Sequence, residues 1–219
     1  MTRSLMSLAL ASALLAVAPF PAAAQAQAAP AAATQAGSPS KLVLDNAQRL
    51  LSTLEARRAE FTADRGKLQA FIASEFDQMF DRDYSARQVL GRHGRGASDA
   101  DVKLFADALA DSLMRRYGSS LLDFNTQLRV RVKSETPLPR GLGVKVSSEM
   151  LRQGGEPIPV DYLMRQTPDG WRVFDVMVEG VSFVQTFRQQ FDTPLSRKSI
   201  REVAADLGAG RIQADAGTN

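Results

Sequence analysis

The chain predicts an α+β domain: several helices, then an antiparallel sheet of about four strands, with helices packed on one face. Two changes of period carry this. From Val43 to Tyr117 the apolar residues recur every three or four positions, as on a helix stripe. From Leu128 to Val178 they alternate every second position, as on a strand with one buried face. A run of helices followed by a run of strands is an α+β arrangement rather than a parallel α/β one.

The elements follow in order. Val43, Ala47, Leu50, Leu51 and Leu54 mark a first helix running to about Ala59, and Leu68, Phe71, Ile72, Phe76, Met79 and Phe80 mark a second. Tyr84 to Leu90 is a short third helix ended by Gly91. Ser98-Asp-Ala-Asp101 opens the longest helix, with Ser98 as N-cap and Asp101 in a capping-box position. Val102, Phe105, Ala106, Leu109, Leu113 and Tyr117 form its stripe, and Leu121, Leu122 and Phe124 suggest further turns past Gly118. In the strands, Leu128, Val130 and Val132 oppose Arg129, Arg131 and Lys133. Leu142, Val144, Val146 and Met150 oppose Lys145, Ser147 and Glu149, and Ile158, Val160, Tyr162 and Met164 oppose Asp161 and Arg165. Gly154-Gly155 and Pro168-Asp169-Gly170 are hairpin turn signals. Trp171 to Phe191 reads as a strand that breaks at Gly180 and resumes at once as a helix. Phe174, Val176 and Val178 alternate with Arg172, Asp175 and Glu179, and then Val181, Val184, Phe187 and Phe191 follow at helical spacing. A last helix runs from Ser196 to about Leu207.

The ends divide the chain further. Arg3, the small and apolar run Leu5 to Val17 and the Ala22-Ala23-Ala24 site predict a cleaved signal peptide over residues 1–24. That run is short of the ~20 residues of a spanning helix. Residues 25–40 are Ala, Gln, Pro, Gly and Ser without a periodic face and predict a flexible leader. Residues 41–213 form one domain and 214–219 a disordered tail. With Cys 0 in the whole chain, neither disulfides nor thiolate metal sites support the fold. Removing Arg3, the one charge in residues 1–24, takes the formal net charge from +3 to +2. So small a surplus argues against nucleic acid as a partner.

An apolar sheet face is ordinarily core. Here it is rich in long and aromatic side chains, among them Met150, Met164, Tyr162, Phe174 and Phe105. Such side chains line deformable cavities as well as fill cores, and the pattern alone leaves both open.

The Trp171–Phe191 segment resembles the matching stretch of the MlaC/Ttg2D family of periplasmic phospholipid-binding proteins. The shared order is a Trp (Trp171), a strand Asp (Asp175), an acid-Gly pair (Glu179-Gly180), a Val-Ser pair (Val181-Ser182) and a downstream Arg and aromatic (Arg188, Phe191). Val89-Leu-Gly-Arg-His93 is similar to the family's short-helix motif, and Phe105 and Tyr117 match aromatic positions. Gly94 stands where many relatives have an aromatic, and Ser98-Asp-Ala-Asp101 where they often have Thr-Pro-Glu-Gln. The resemblance implies one sheet with several helices, in shape like an NTF2-like cone, holding acyl chains inside. It implies phospholipid as cargo with no other cofactor, carried between an outer-membrane lipoprotein complex and an inner-membrane ABC transporter with an MCE-domain subunit. A related branch is associated with hopanoids.

On that reading the lipid-lining residues are Leu128, Val130, Val144, Val146, Val160, Tyr162, Met164, Phe174 and Val176 from the sheet. Phe76, Phe80, Leu90, Phe105, Leu109, Leu113, Val181, Val184 and Phe187 face them from helices. Arg87, Arg92, His93 and Arg95 form a basic cluster that meets a headgroup phosphate or an acidic partner, or is simply a solvated face. The rival reading is an NTF2-like isomerase with an apolar pocket and Asp175 or Asp161 as base. Alternation places both on the charged face, and one His (His93) cannot furnish a multi-His metal site. A peptide-binding chaperone with an apolar groove is a third reading. No catalytic residue and no metal ligand is assigned.

Overall fold

A computed structural model describes residues 37–118, 128–152 and 154–216. Helices α1 (Pro39–Ala56), α2 (Arg58–Ala63), α3 (Arg65–Met79), α4 (Arg82–Leu90) and α5 (Asp99–Tyr117) precede the sheet. Helices α6 (Phe183–Arg197) and α7 (Ile200–Gly208) follow it. Local chemistry sets most starts: Ser38, Asp64, Asp81, Ser98, Ser182 and Ser199 each accept from the backbone N–H three positions on. Each such cap contributes about 1 kcal/mol. Ser98 caps α5 as expected, but its hydroxyl also donates to Asp101 Oδ2 at 2.8 Å. The reciprocal capping box forms instead at Ser199 and Glu202. Residues 121–124, read as extending α5, lie outside the described residues.

The sheet is a five-stranded antiparallel meander in the order β1-β2-β3-β4-β5. Its strands are β1 (Arg129–Pro137), β2 (Val144–Leu151), β3 (Ile158–Thr167), β4 (Gly170–Val178) and β5 (Val181–Ser182). The strand beyond the expected four arises because the chain does not pass directly from Gly180 into a helix. Glu179 (φ 51°) and Gly180 (φ 83°) reverse it in two residues, so Val181 pairs with Val178 before Ser182 caps α6. The last helix, expected from Ser196, starts at Ile200 instead, and Ser196 and Arg197 belong to α6. Lys198 is extended (φ −134°, ψ 153°), ending α6 at Arg197 and letting Ser199 start α7.

A bulge changes the phase of β4. Leu163 pairs with Asp175 but Met164 with Val173, which leaves Phe174 unpaired. Val173 is therefore fully buried (0 % exposed) although simple alternation from Phe174 turns it outward. The segment expected as a disordered tail is docked over its first residues. Ala214 and Ala216 are buried, with Ala214 N donating to Ser112 Oγ (3.1 Å) and Ala216 N to the Tyr117 hydroxyl (3.1 Å).

Buried apolar residues form three separate clusters. One is helical, made by α4, α5, α6, α7 and the docked tail around Phe105, Phe187, Phe191 and Leu207. A second joins α1, α2 and α3 through Leu54, Phe61, Leu68 and Ile72. The third lies on the sheet, where Val146, Met164 and Val173 meet Val43 of α1. A domain of this size ordinarily has one contiguous core with small satellites.

Candidate functional site

Each cluster carries a rim of half-buried apolar side chains. Tyr162, Val176, Val144, Val132 and Trp171 fringe the sheet cluster, with Leu42, Met79 and Phe80 from the helices. Leu50, Phe71 and Met114 fringe the α1–α3 cluster, and Leu113, Tyr117 and Phe183 the helical one. Met114 belongs to α5, so that helix reaches from the helical cluster to the α1–α3 cluster.

The residues expected to line a cavity fall into these groups rather than into one wall. Leu90, Phe105, Leu109, Val184 and Phe187 are packed within the helical cluster, with Leu113 on its rim. Val146 and Met164 are sealed in the sheet cluster, whereas Tyr162, Val144, Val176 and Phe80 stand on its rim. Val160 is buried, and Leu128 and Val130 are half-buried. Phe174 rests edge-on against Tyr84 of α4 (centroids 5.4 Å). Phe76 is exposed and stacks on Phe80 at 3.8 Å, and Val181 is 52 % exposed on the sheet edge. Leu42, Val43, Leu50, Phe71, Met79, Met114, Val173 and Phe183 join the rims or the sheet cluster without having been assigned to the lining. All except Val173 and Phe183 sit on the early helices or α5, whose stripes are readable but whose facing partner is not.

The shared motif residues serve as joints. Asp175 is buried, not on a solvated face, and accepts from Ser182 Oγ (2.5 Å) and from Val184 N (3.1 Å) at the start of α6. Burial pushes its carboxyl above the ordinary value, and those hydrogen bonds pull against the rise. Asp161, by contrast, lies 3.4 Å from Lys145. Arg188 of α6 donates through Nε to Gln88 O (2.7 Å), near the end of α4. Gly91 follows with φ 52°, and a Cβ there would lie 3.4 Å from Arg188 Nε. On the other side of α4, Asp81 N donates to Val173 O (2.8 Å) and Ser85 Oγ to Phe174 O (2.8 Å). Arg165 of β3 pairs with Asp81 at 2.8 Å.

The basic cluster is largely neutralised. Arg87 pairs with Asp99, and Arg92 and His93 both reach Asp192 at 2.9 Å. The His93 hydrogen bond, with Arg92 beside it, holds the Asp192 carboxyl below its usual range. Arg95 is exposed and has no ion-pair partner among the described residues. Two surface clefts are polar. One, of about 350 Å³, lies between Ser112, Arg115, Arg116 and the end of α7; the other, of about 320 Å³, is lined by Asp77, Asp81, Asp83, Asp169 and neighbours. Their chemistry suits water better than hydrocarbon. Among the described residues no group of His, Cys, Asp or Glu is placed to hold a metal, and no helix is long and apolar enough to cross a membrane.

These features define a class: a one-sheet α+β scaffold whose apolar interior is divided among several clusters, with its buried carboxylates, Asp175 at the start of α6 and Asp206 paired with Lys198 and Arg211, committed to structure. A family model described as MlaC protein matches residues 44–209. The chain belongs to the MlaC family. It is 24% identical over 189 residues to the toluene tolerance protein ttg2D of Pseudomonas putida, covering 82% of this chain and 86% of that one. It is 20% identical over 151 residues to the intermembrane phospholipid transport system binding protein MlaC of Haemophilus influenzae, covering 68% and 70%. A solved phospholipid-binding protein from Ralstonia solanacearum, in complex with a phospholipid, superimposes with a TM-score of 0.69. That match has 20% identity over 78% of this chain and 97% of the other, and it shows the fold.

Proposed function

We propose that this chain is a periplasmic carrier that buries the acyl chains of a phospholipid between the rims of its three apolar clusters. The observation that supports this most is the division of the core. Large side chains such as Tyr162, Val176, Leu50, Phe71 and Met114 stay half-buried at cluster edges where a solid domain would close them together. Family membership and the names of the two relatives agree with this reading. Each CH₂ leaving water contributes roughly 0.8 kcal/mol, so two chains gain on the order of 20 kcal/mol. Spontaneous release is then slow, and transfer takes place on docking to an inner-membrane ABC transporter with an MCE-domain subunit or to an outer-membrane lipoprotein complex. Residues 1–24 direct export and are removed. The protein is not an enzyme on this reading: Asp175 serves α6 and Asp161 faces Lys145, so neither stands free as a base.

The test is mass spectrometry of an organic extract of the protein purified from a Gram-negative host. The reading expects phospholipid near one molecule per chain. An extract holding hopanoid instead would change the cargo, and an empty protein that turns over a small ketone would replace the carrier with the isomerase.

A further inference from the structure

Tyr162 occupies the middle of the central strand. β3 is third of the five strands, and Tyr162 pairs with Val146 on β2 and with Val176 on β4. Val160 and Met164, two residues to either side on the same face, are 6 % and 0 % exposed. The phenol therefore rises from the buried face of the sheet, beside the apolar cluster of Val146, Met164 and Val173, with Glu135 of β1 in the same cross-strand row.

Two properties of this side chain combine in an uncommon way. Its surroundings are dry enough that burial alone pushes the phenol above its ordinary pKa. Yet part of the residue remains uncovered. The two together place the side chain on the rim of the sheet cluster rather than inside it. Its hydroxyl has no hydrogen-bond partner among the described residues and is not among the buried unpartnered polar atoms, so it stays accessible to a ligand's acceptor. Tyr117 shows the ordinary case, with its hydroxyl donating to Asp215 and accepting from Ala216 N. Polar groups on the same face are already engaged: Ser148 Oγ donates to Val160 O (2.8 Å), and Glu135 Oε2 accepts from Ser40 N (3.2 Å) and Ser40 Oγ (2.8 Å).

We infer that the Tyr162 hydroxyl donates a hydrogen bond to an acyl ester carbonyl of the bound lipid, so that the chain selects ester-linked glycerophospholipids. This rests on the carrier reading above. A neutral donor in an apolar wall calls for a neutral acceptor, because a phosphate brought to that depth would lose its hydration without a counter-charge. The ester carbonyl is the uncharged acceptor at the head of each acyl chain. A lipid without it leaves the phenol unpaired in a dry site, and an unmade buried hydrogen bond is what discriminates between ligands of similar shape.

The experiment crosses two lipids with two proteins. Delipidated wild type and Tyr162→Phe are each titrated with dipalmitoyl phosphatidylcholine and with its dihexadecyl ether analogue, which keeps headgroup and chain length but lacks both carbonyls. The ratio of the two preferences cancels the difference in hydration between the lipids. The expected result is an ester preference about two- to ten-fold larger in wild type than in the variant, with ether binding in the variant equal to or tighter than in wild type. An equal preference in both proteins, or an equal loss of both lipids in the variant, overturns the assignment. If wild type binds neither lipid, the carrier reading falls and this inference with it. If wild type binds both tightly and the variant changes nothing, the carrier stands and the role of Tyr162 alone is refuted.

Discussion

Replacing Asp175 with alanine removes the acceptor for two donors at once. Val184 N at the start of α6 is buried, so losing its partner costs about 1–3 kcal/mol, and the Ser182 hydroxyl loses about 1 kcal/mol more. Relief from burying a carboxylate offsets part of this, which leaves an expected destabilisation of about 2–3 kcal/mol. Asp175→Asn keeps an oxygen for Val184 N and offers an amide to Ser182, so it should cost less than about 1 kcal/mol near neutral pH. The two variants also differ in pH dependence. A folded pKa raised by burial means that the native state holds its proton more tightly than the unfolded chain. That contribution to stability is complete below the unfolded value and is lost as pH rises through the folded one. Asparagine cannot titrate, so Asp175→Asn should gain on wild type between about pH 4 and neutrality. Urea unfolding at several pH values, with the slope unchanged, measures all of this. An alanine variant within about 0.5 kcal/mol of wild type, or an asparagine variant as damaged as the alanine one, would refute the joint.

The remaining expectations are simpler. Gly91→Ala forces a side chain onto φ 52° and against Arg188 Nε, and should cost more than about 1 kcal/mol in a thermal melt. Val173→Thr buries a hydroxyl in a fully enclosed site and should cost about 1–3 kcal/mol, whereas Val178→Thr, half-buried on the same strand, should cost less. Equal effects of the two would contradict the bulged phase of β4. Tyr117→Phe removes the acceptor for Ala216 N and should cost about 1–2 kcal/mol, with faster amide exchange over residues 212–216. Unchanged exchange there would show that the segment is held by other contacts.

The α+β order, α5 and its Ser98 cap, and the three hairpin-linked strands before β4 were legible because each rests on local chemistry. What was not legible depends on contacts between elements. The Phe174 bulge is fixed by Ser85, Asp81 and Tyr84 from α4, and no period in the strand announces it. Once it forms, Val173 turns inward, while Asp175 keeps its place on the face opposite Val176 and is buried because the start of α6 covers that face. The docking of Ala214 and Ala216 reverses a simple composition argument. The start of α7 was legible in Ser199-x-x-Glu202, a capping-box pattern, whereas the tail reads as polar until its amides donate to Ser112 and Tyr117. The candidate lining was legible as a set of apolar residues. Which of them close into core and which stay on a rim was not, because burial depends on the partner across the gap.

The carrier account stands on where the hydrocarbon lies. Loading the protein with a phosphatidylcholine that bears a nitroxide midway along one acyl chain, and recording side-chain methyl resonances, locates it directly. The account predicts strong paramagnetic broadening of Val144, Val176 and Met114, with Leu142 and Val181 on the exterior untouched. Broadening confined to Leu142, Val181 and their exposed neighbours would mean that lipid rests on the outside of the molecule, and would contradict the account.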